Sequence, residues 1–138
     1  MADYTQVAAD IRYSGAAQLV VGLASGAIAA GAAIAKDSNG RWSLADADAA
    51  DADDLTQIGI AVHSAPAAGQ PLLVCTRDTG LTPGFTLTLG TQVYVSGTAG
   101  GWMPGADLAT GDAIIPCMTP TSTTQAIFDP APAGKLAP

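Results

Sequence analysis

The chain of 138 residues has the usual length of a single domain, and its 12 acidic and 5 basic residues leave a net charge of −7. Every acidic residue is Asp, and because the chain lacks Glu, which commonly covers exposed helix faces, long amphipathic helices are not expected. Nucleic acid and anionic membrane surfaces are disfavoured as partners, since both bind clustered Lys or Arg and the cations here are scattered.

Residues 1–14 predict an extended N-terminal arm, because they carry aromatic and aliphatic side chains without a turn signal or a helical period. An arm of this kind cannot bury itself, so we expect it to be ordered against a neighbouring chain or surface; a disordered tail is the alternative. The candidate contact residues are its large apolar side chains and one possible charge partner: Tyr4, Val7, Ile11, Arg12 and Tyr13.

The uncharged segment 14–35 raises the question of a membrane span, since Gly22 and Gly26 have the spacing of a membrane-helix contact motif. Its strong hydrophobes are few and its glycines weaken a helix, so we expect two short strands around a turn at Ser25 and Gly26. The N-terminus lacks the basic and apolar regions of a secretory signal, which predicts assembly in the cytoplasm. In that compartment Cys75 and Cys117 are expected to stay reduced.

Asn39 and Gly40 lie between two strand-like segments, residues 32–37 and 41–44. This dipeptide supplies the two positive φ angles of a type I′ turn. The segment therefore predicts a β-hairpin.

Residues 46–54 combine Ala with five Asp, which predicts one short capped helix of about two turns. The same carboxylates are the best metal candidate in the chain, because Ca²⁺ binds several oxygen ligands. A calcium loop of the EF-hand type needs a Gly at its sixth position and a terminal Glu, and the segment has neither. We therefore expect a solvated helix and no metal site.

From residue 57 onward, apolar residues alternate with a period of two, which predicts strands. The segment 71–77 is apolar on both faces, as in a barrel wall or an interface, and Pro116 places its strand at an edge or a bulge. The other strands are predicted at residues 57–63, 85–89, 93–95, 113–118 and 125–128. Together they predict an all-β fold, a small antiparallel β-barrel at residues 15–129, before a flexible Pro-rich tail at residues 130–138.

Residues that could carry catalysis do not form a recognisable set. His63 is the single histidine, no nucleophile signature surrounds a Ser, and most Asp residues adjoin turn-forming residues. The chain also lacks a glycine-rich phosphate loop and the Cys/His spacing of a zinc site. We therefore expect neither enzymatic activity nor a cofactor.

A set of turn and strand motifs between residues 26 and 128 resembles the capsid decoration (cement) proteins of tailed phages. The motifs are Ala30-Gly31-Ala32, the hairpin ending in Trp42 before the Ala-Asp-rich segment, Ile58-Gly59-Ile60-Ala61, Ala-Ala-Gly-Gln-Pro at residues 67–71, Leu-Gly-Thr-x-Val-Tyr-Val-Ser at residues 89–96, and Gly100-Gly101. The first 25 residues and the Pro-rich tail do not match this succession.

The resemblance implies a tulip-like β-barrel, a homotrimer, and attachment to the major capsid protein at threefold or quasi-threefold positions. The protein would be made in the host cytoplasm and would stabilise the outer capsid surface of the virion, with the arm residues as capsid or intersubunit contacts. The alternative is a trimeric head-fibre or receptor/glycan-binding module of a virion, with an exposed aromatic platform at Trp42 or Trp102. A small β-barrel enzyme and a membrane-inserted coat subunit are further alternatives.

Overall fold

The computed structural model describes residues 3–47, 57–105 and 114–130. These residues form a nearly all-β fold, in which nine strands build one antiparallel sheet that curls into a half-barrel. The strands are β1 Gln18–Leu23, β2 Ala33–Lys36, β3 Trp42–Leu44, β4 Ile58–Ala61, β5 Pro71–Leu81, β6 Val93–Val95, β7 Trp102–Pro104, β8 Pro116–Pro120 and β9 Ala126–Phe128. The predicted all-β class is confirmed.

The long strand β5 joins the two parts of the sheet. In its first half Val74 lies opposite Val20 of β1 and also opposite Ala61 of β4, so β1 and β4 occupy its two edges. Its second half pairs with β9, and the sheet continues through β8 and β6 to β7. The pattern of alternation predicts an end at Arg77, but the strand runs on to Leu81.

Two apolar clusters lie on opposite faces of β4 and β5. The larger cluster includes Ile60 and Cys75, and the smaller one includes Ala61 and Val74. Successive residues of a strand point to opposite faces. Ile60 and Ala61 of β4 therefore belong to different clusters, as do Val74 and Cys75 of β5. This arrangement explains why the segment 71–77 is apolar on both faces.

Two glycines allow close packing around Trp42, which is buried in the smaller cluster. A Cβ atom on Gly22 would lie 2.6 Å from Cδ1 of Trp42. A Cβ atom on Gly59 would overlap Cγ1 of Val74 and lie 3.1 Å from the carbonyl oxygen of Cys75. Any side chain at these two positions would therefore push apart the strands that enclose the indole ring.

β2 and β3 form the predicted hairpin, but the predicted type I′ turn is wrong. Gly40 has a φ of 77°, whereas Asn39 does not adopt a positive φ. Oδ1 of Asp37 instead accepts hydrogen bonds from the amides of Asn39 and Arg41, at 2.9 and 3.0 Å. The Asp37 side chain thus stabilises a turn in which only one residue needs the left-handed conformation.

The predicted strand at residues 85–89 is not formed. Phe85 and Leu87 are buried, but Gly84 and Gly90 both have positive φ, which interrupts an extended strand at either end. By contrast, the sequence predicts Pro116 at an edge or a bulge. Its strand β8 pairs with both β9 and β6, and a register shift lies at Pro116, so the bulge is the alternative that is observed.

The predictions for segment 14–35 and for the acidic segment have different outcomes. The two expected strands are β1 and β2, although they pair with β5 and β4 rather than with each other. Most of the predicted helix at residues 46–54 lies outside the described residues, which end at residue 47 and resume at residue 57. The predicted tail lies outside the described residues from residue 131 onward. A short 3-10 helix at Ala8–Asp10, inside the arm, is not predicted by the sequence pattern.

Candidate functional site

The N-terminal arm lies on its own domain. The amide of Tyr4 donates to the carbonyl of Trp102 at 2.9 Å, and the Tyr4 ring stacks on Phe85 with ring centroids 4.7 Å apart and planes at 12°. Further along, the Val7 amide donates to the Gly84 carbonyl at 2.9 Å. The expectation that the arm needs a neighbouring chain to become ordered is therefore wrong for these residues.

The second half of the arm continues this docking beside β5. Ile11 is 6% exposed and belongs to the larger cluster. The backbones of Arg12 and Thr82 exchange two hydrogen bonds, at 2.9 and 2.8 Å. Beyond them, Ser14 donates both its amide and its hydroxyl to the carboxylate of Asp78. The arm is thus an irregular extension of β1 along the same edge of β5.

The structure separates the predicted contact residues into two groups. Tyr4 and Ile11 pack against the domain, whereas Val7 and Tyr13 are 47% and 45% exposed. Arg12 is exposed as well, and its Nη1 donates to the carbonyls of Ala9 and Ile11 at 2.8 and 2.7 Å. Val7, Arg12 and Tyr13 are therefore the exposed residues of this set, while Tyr4 and Ile11 pack against the domain.

A second surface on β1 was not among the predicted contact residues. Its apolar side chains are unusually exposed for a strand: 36% for Leu19, 41% for Val20, 77% for Val21 and 42% for Leu23. We call these four residues the β1 surface. One edge of β1 pairs with β5, and in the described part of the chain no strand pairs with the other edge. The signal in the sequence is the run Gln-Leu-Val-Val-Gly-Leu, an uncharged strand without Pro.

A third feature is a groove of about 620 Å³ between the arm and the segments that follow β5 and β8. Its apolar residues include Val7 and Phe85, and two charged residues of the arm, Asp10 and Arg12, line it as well. The remaining polar lining consists of five threonines: Thr5, Thr82, Thr86, Thr123 and Thr124. We call this cavity the arm groove. It arises from the docking of the arm, so no local motif in the sequence could have revealed it.

Neither tryptophan offers an exposed aromatic platform. Trp42 and Trp102 are 3% and 1% exposed. Nε1 of Trp102 donates to the carbonyl of Gly31 at 2.8 Å, and its ring meets Phe128 edge to face at a centroid distance of 6.0 Å. Both indoles serve the core, and the glycan platform expected for the alternative function is absent at these positions.

Both ring nitrogens of His63 lie within hydrogen-bond distance of backbone groups. Its Nε2 accepts a hydrogen bond from the Leu73 amide at 3.0 Å, and its Nδ1 lies 3.1 Å from the carbonyl oxygen of Ser64. This pattern assigns the proton of a neutral imidazole to Nδ1. Among the described residues, no three His, Cys or Asp side chains form a group that could hold a metal ion.

Both cysteines are free and buried. Burial raises the pKa of Cys75 from 9.0 to about 11, and the neighbouring Asp78 charge adds to this increase. Burial likewise raises the pKa of Cys117. Neither thiol forms an appreciable fraction of thiolate near neutral pH, so neither is a reactive nucleophile.

No protein-family model matches the chain, and no curated protein or solved structure matches it either. Among the described residues, no helix has the length and apolar character to cross a membrane. The fold and surface features above are therefore the basis for assigning a function.

Proposed function

We propose that the protein is a structural decoration (cement) protein. It binds the outside of a tailed-phage capsid, forms homotrimers, and stabilises the shell through contacts with the major capsid protein. The proposal rests on the resemblance in the turn and strand motifs and on an all-β domain that offers surfaces for association.

The observation that carries the proposal is the β1 surface. Val21, which is 77% exposed, lies in the middle of a strand that contains no charged residue, although the whole chain has a net charge of −7. Natural proteins usually protect such an edge with charges, Pro or a covering segment. In the described part of the chain no strand covers this edge. An open apolar edge is expected where another protein chain binds, because pairing buries apolar area and satisfies the free backbone groups.

Attachment to a symmetric lattice requires only modest contacts at each site. A trimer that engages three neighbouring capsid subunits gains avidity, since the second and third contacts form within one complex. Tyr13, which is exposed near the start of β1, would add a further contact beside the β1 surface. The arm thus contributes to attachment through Tyr13, and residues such as Ile11, which packs in the larger cluster, fix its position.

Co-sedimentation with capsids assembled without the protein tests this function. Val21→Asp places a charge in the β1 surface and should reduce both capsid binding and trimer formation by about tenfold or more, since burial of an unpaired charge is unfavourable. Ile127→Asp is the matched control, because Ile127 is 39% exposed on β9, away from β1. If wild-type protein does not sediment with capsids, or both variants bind equally well, the proposed attachment surface is wrong.

The head-fibre or glycan-binding alternative loses its expected site, because both tryptophans are buried. Light scattering addresses the oligomeric state common to both functions: we expect three times the monomer mass of 13.6 kDa. The Val21→Asp variant should shift this mass towards that of the monomer.

A further inference from the structure

The arm groove has the size and the mixed lining of a small-molecule site. Its volume of about 620 Å³ falls within the range of about 300 to 1,000 Å³ that is typical of such sites. Phe85 and Val7 provide an apolar part, and hydroxyl groups and two charges surround it. The chemistry of this lining restricts the kind of ligand that could bind.

The threonine hydroxyls of the groove are available to a ligand. Within the described ranges, the side-chain hydroxyls of Thr5, Thr82, Thr86 and Thr123 make no hydrogen bond, and that of Thr124 makes a long contact of 3.4 Å with Ser122. A hydroxyl donates one hydrogen bond and accepts two, and it rotates to suit its partner. A ligand that matches several such groups carries many hydroxyls of its own, since each of these can also donate and accept.

The two charged side chains of the groove are opposite in sign. Arg12 is oriented by its bonds to the carbonyls of Ala9 and Ile11, which leaves its other N–H groups free of partners among the described residues. Asp10 makes no side-chain hydrogen bond or ion pair within the same part of the chain. One positive and one negative charge give the groove no net preference for anions or cations. Each charged group can instead form a charge-assisted hydrogen bond with a neutral ligand.

We propose that the arm groove binds a neutral saccharide. The sugar hydroxyls would form hydrogen bonds with Thr86, Thr123 and the other free threonines. The carbon-bound hydrogens of the sugar would pack on Val7 and Phe85. Asp10 would accept hydrogen bonds from sugar hydroxyls while Arg12 donates to sugar oxygens. This assignment is independent of capsid attachment, and it places Val7 and Arg12 in a ligand site rather than at the shell.

Saturation-transfer-difference NMR tests the proposal with the full chain and a panel of glucose, galactose, mannose and N-acetylglucosamine. We expect at least one sugar to receive saturation, with a Kd on the order of 1 mM. Asp10→Ala and Thr86→Val should each weaken that binding by about tenfold or more, as expected when a charge-assisted or well-placed hydrogen bond is removed. Both residues are exposed, so circular dichroism should show that the variants remain folded.

Thr119→Val is the matched control, because Thr119 is an exposed threonine of β8 that does not line the arm groove. The Thr119→Val variant should bind the sugar with the same affinity as the wild type. The proposal is overturned if no sugar of the panel receives saturation, or if binding survives unchanged in both groove variants. It is also overturned if the groove variants release the protein from capsids while no sugar binds, since the groove would then be a capsid contact.

Discussion

The carboxylate of Asp78 in β5 and the backbone amide of Ser14 in the arm are joined by a hydrogen bond of 2.7 Å. The Ser14 hydroxyl donates to the other carboxylate oxygen, which also accepts from the amide of Gly80 at 2.9 Å. Asp78 is fully buried, so these donors replace the water that its carboxylate loses on folding. The pair therefore ties the arm to the longest strand of the sheet.

Replacing Asp78 by Ala should destabilise the protein by about 2 to 4 kcal/mol, because the amides of Ser14 and Gly80 would be left without acceptors. Urea unfolding provides the measurement. Asp37→Ala is the control, since Asp37 also accepts two amide hydrogen bonds but lies in an exposed turn where water can replace it. An equal loss of stability in the two variants would contradict the role assigned to the buried carboxylate.

Gly59→Ala should cost about 1 to 3 kcal/mol of stability, because the added methyl group would overlap Val74 and press on the backbone of Cys75. Gly26→Ala is the matched control, since a Cβ atom there would meet no atom within 4 Å. Its stability should stay within about 0.5 kcal/mol of the wild type. Thermal unfolding of the two variants compares them directly, and an unchanged melting temperature for Gly59→Ala would refute the close packing around Trp42.

Tyr4→Ala should loosen the arm, since it removes the ring that stacks on Phe85. We expect trypsin to cleave after Arg12 faster in this variant than in the wild type, because proteolysis requires the arm to leave the domain. Val7→Ala serves for comparison: Val7 is 47% exposed and lies away from the cleaved bond, so its loss should leave the cleavage rate unchanged. Equal cleavage rates in wild type and Tyr4→Ala would mean that the stacked ring does not hold the arm.

The raised pKa of Cys75 predicts a pH dependence of stability. The unfolded chain releases the thiol proton near pH 9.0, but the folded chain holds it until about pH 11. Between these values the unfolded state binds fewer protons, so the free energy of unfolding should fall as the pH rises. Below pH 8 this thiol should have no effect. Cys75→Ala should show a shallower decrease than the wild type in urea titrations across this range, and identical slopes would count against the buried thiol.

Local sequence patterns were sufficient for much of the fold. The predicted segment for β1 matches Gln18–Leu23, and the alternation and turn signals also indicate β2, β3, β4 and β9 to within two residues or so at either end. The bulge at Pro116 follows from the missing amide proton of proline. These features depend on neighbours in the chain, which is why the sequence reveals them.

Other features depend on specific contacts that the local pattern does not indicate. Asn39-Gly40 favours a type I′ turn, yet the side chain of Asp37 stabilises a different one. The stretch 85–89 alternates like a strand but is held by its contacts with the arm, through Phe85 and Gly84. In both places a specific contact outweighs the local preference.

The sequence by itself determined the all-β class and the positions of most strands, because backbone periodicity and burial preference are encoded residue by residue. Only the tertiary structure decided where the arm lies. Tyr4 contacts Phe85 and Ser14 contacts Asp78, in both cases across more than 60 residues of intervening chain, and Ile11 packs in the larger cluster. The arm groove follows from that placement, because it forms where the arm meets the segments after β5 and β8. The exposure of the β1 surface follows from the pairing of β1 with β5, which leaves the other edge of β1 open in the described part of the chain.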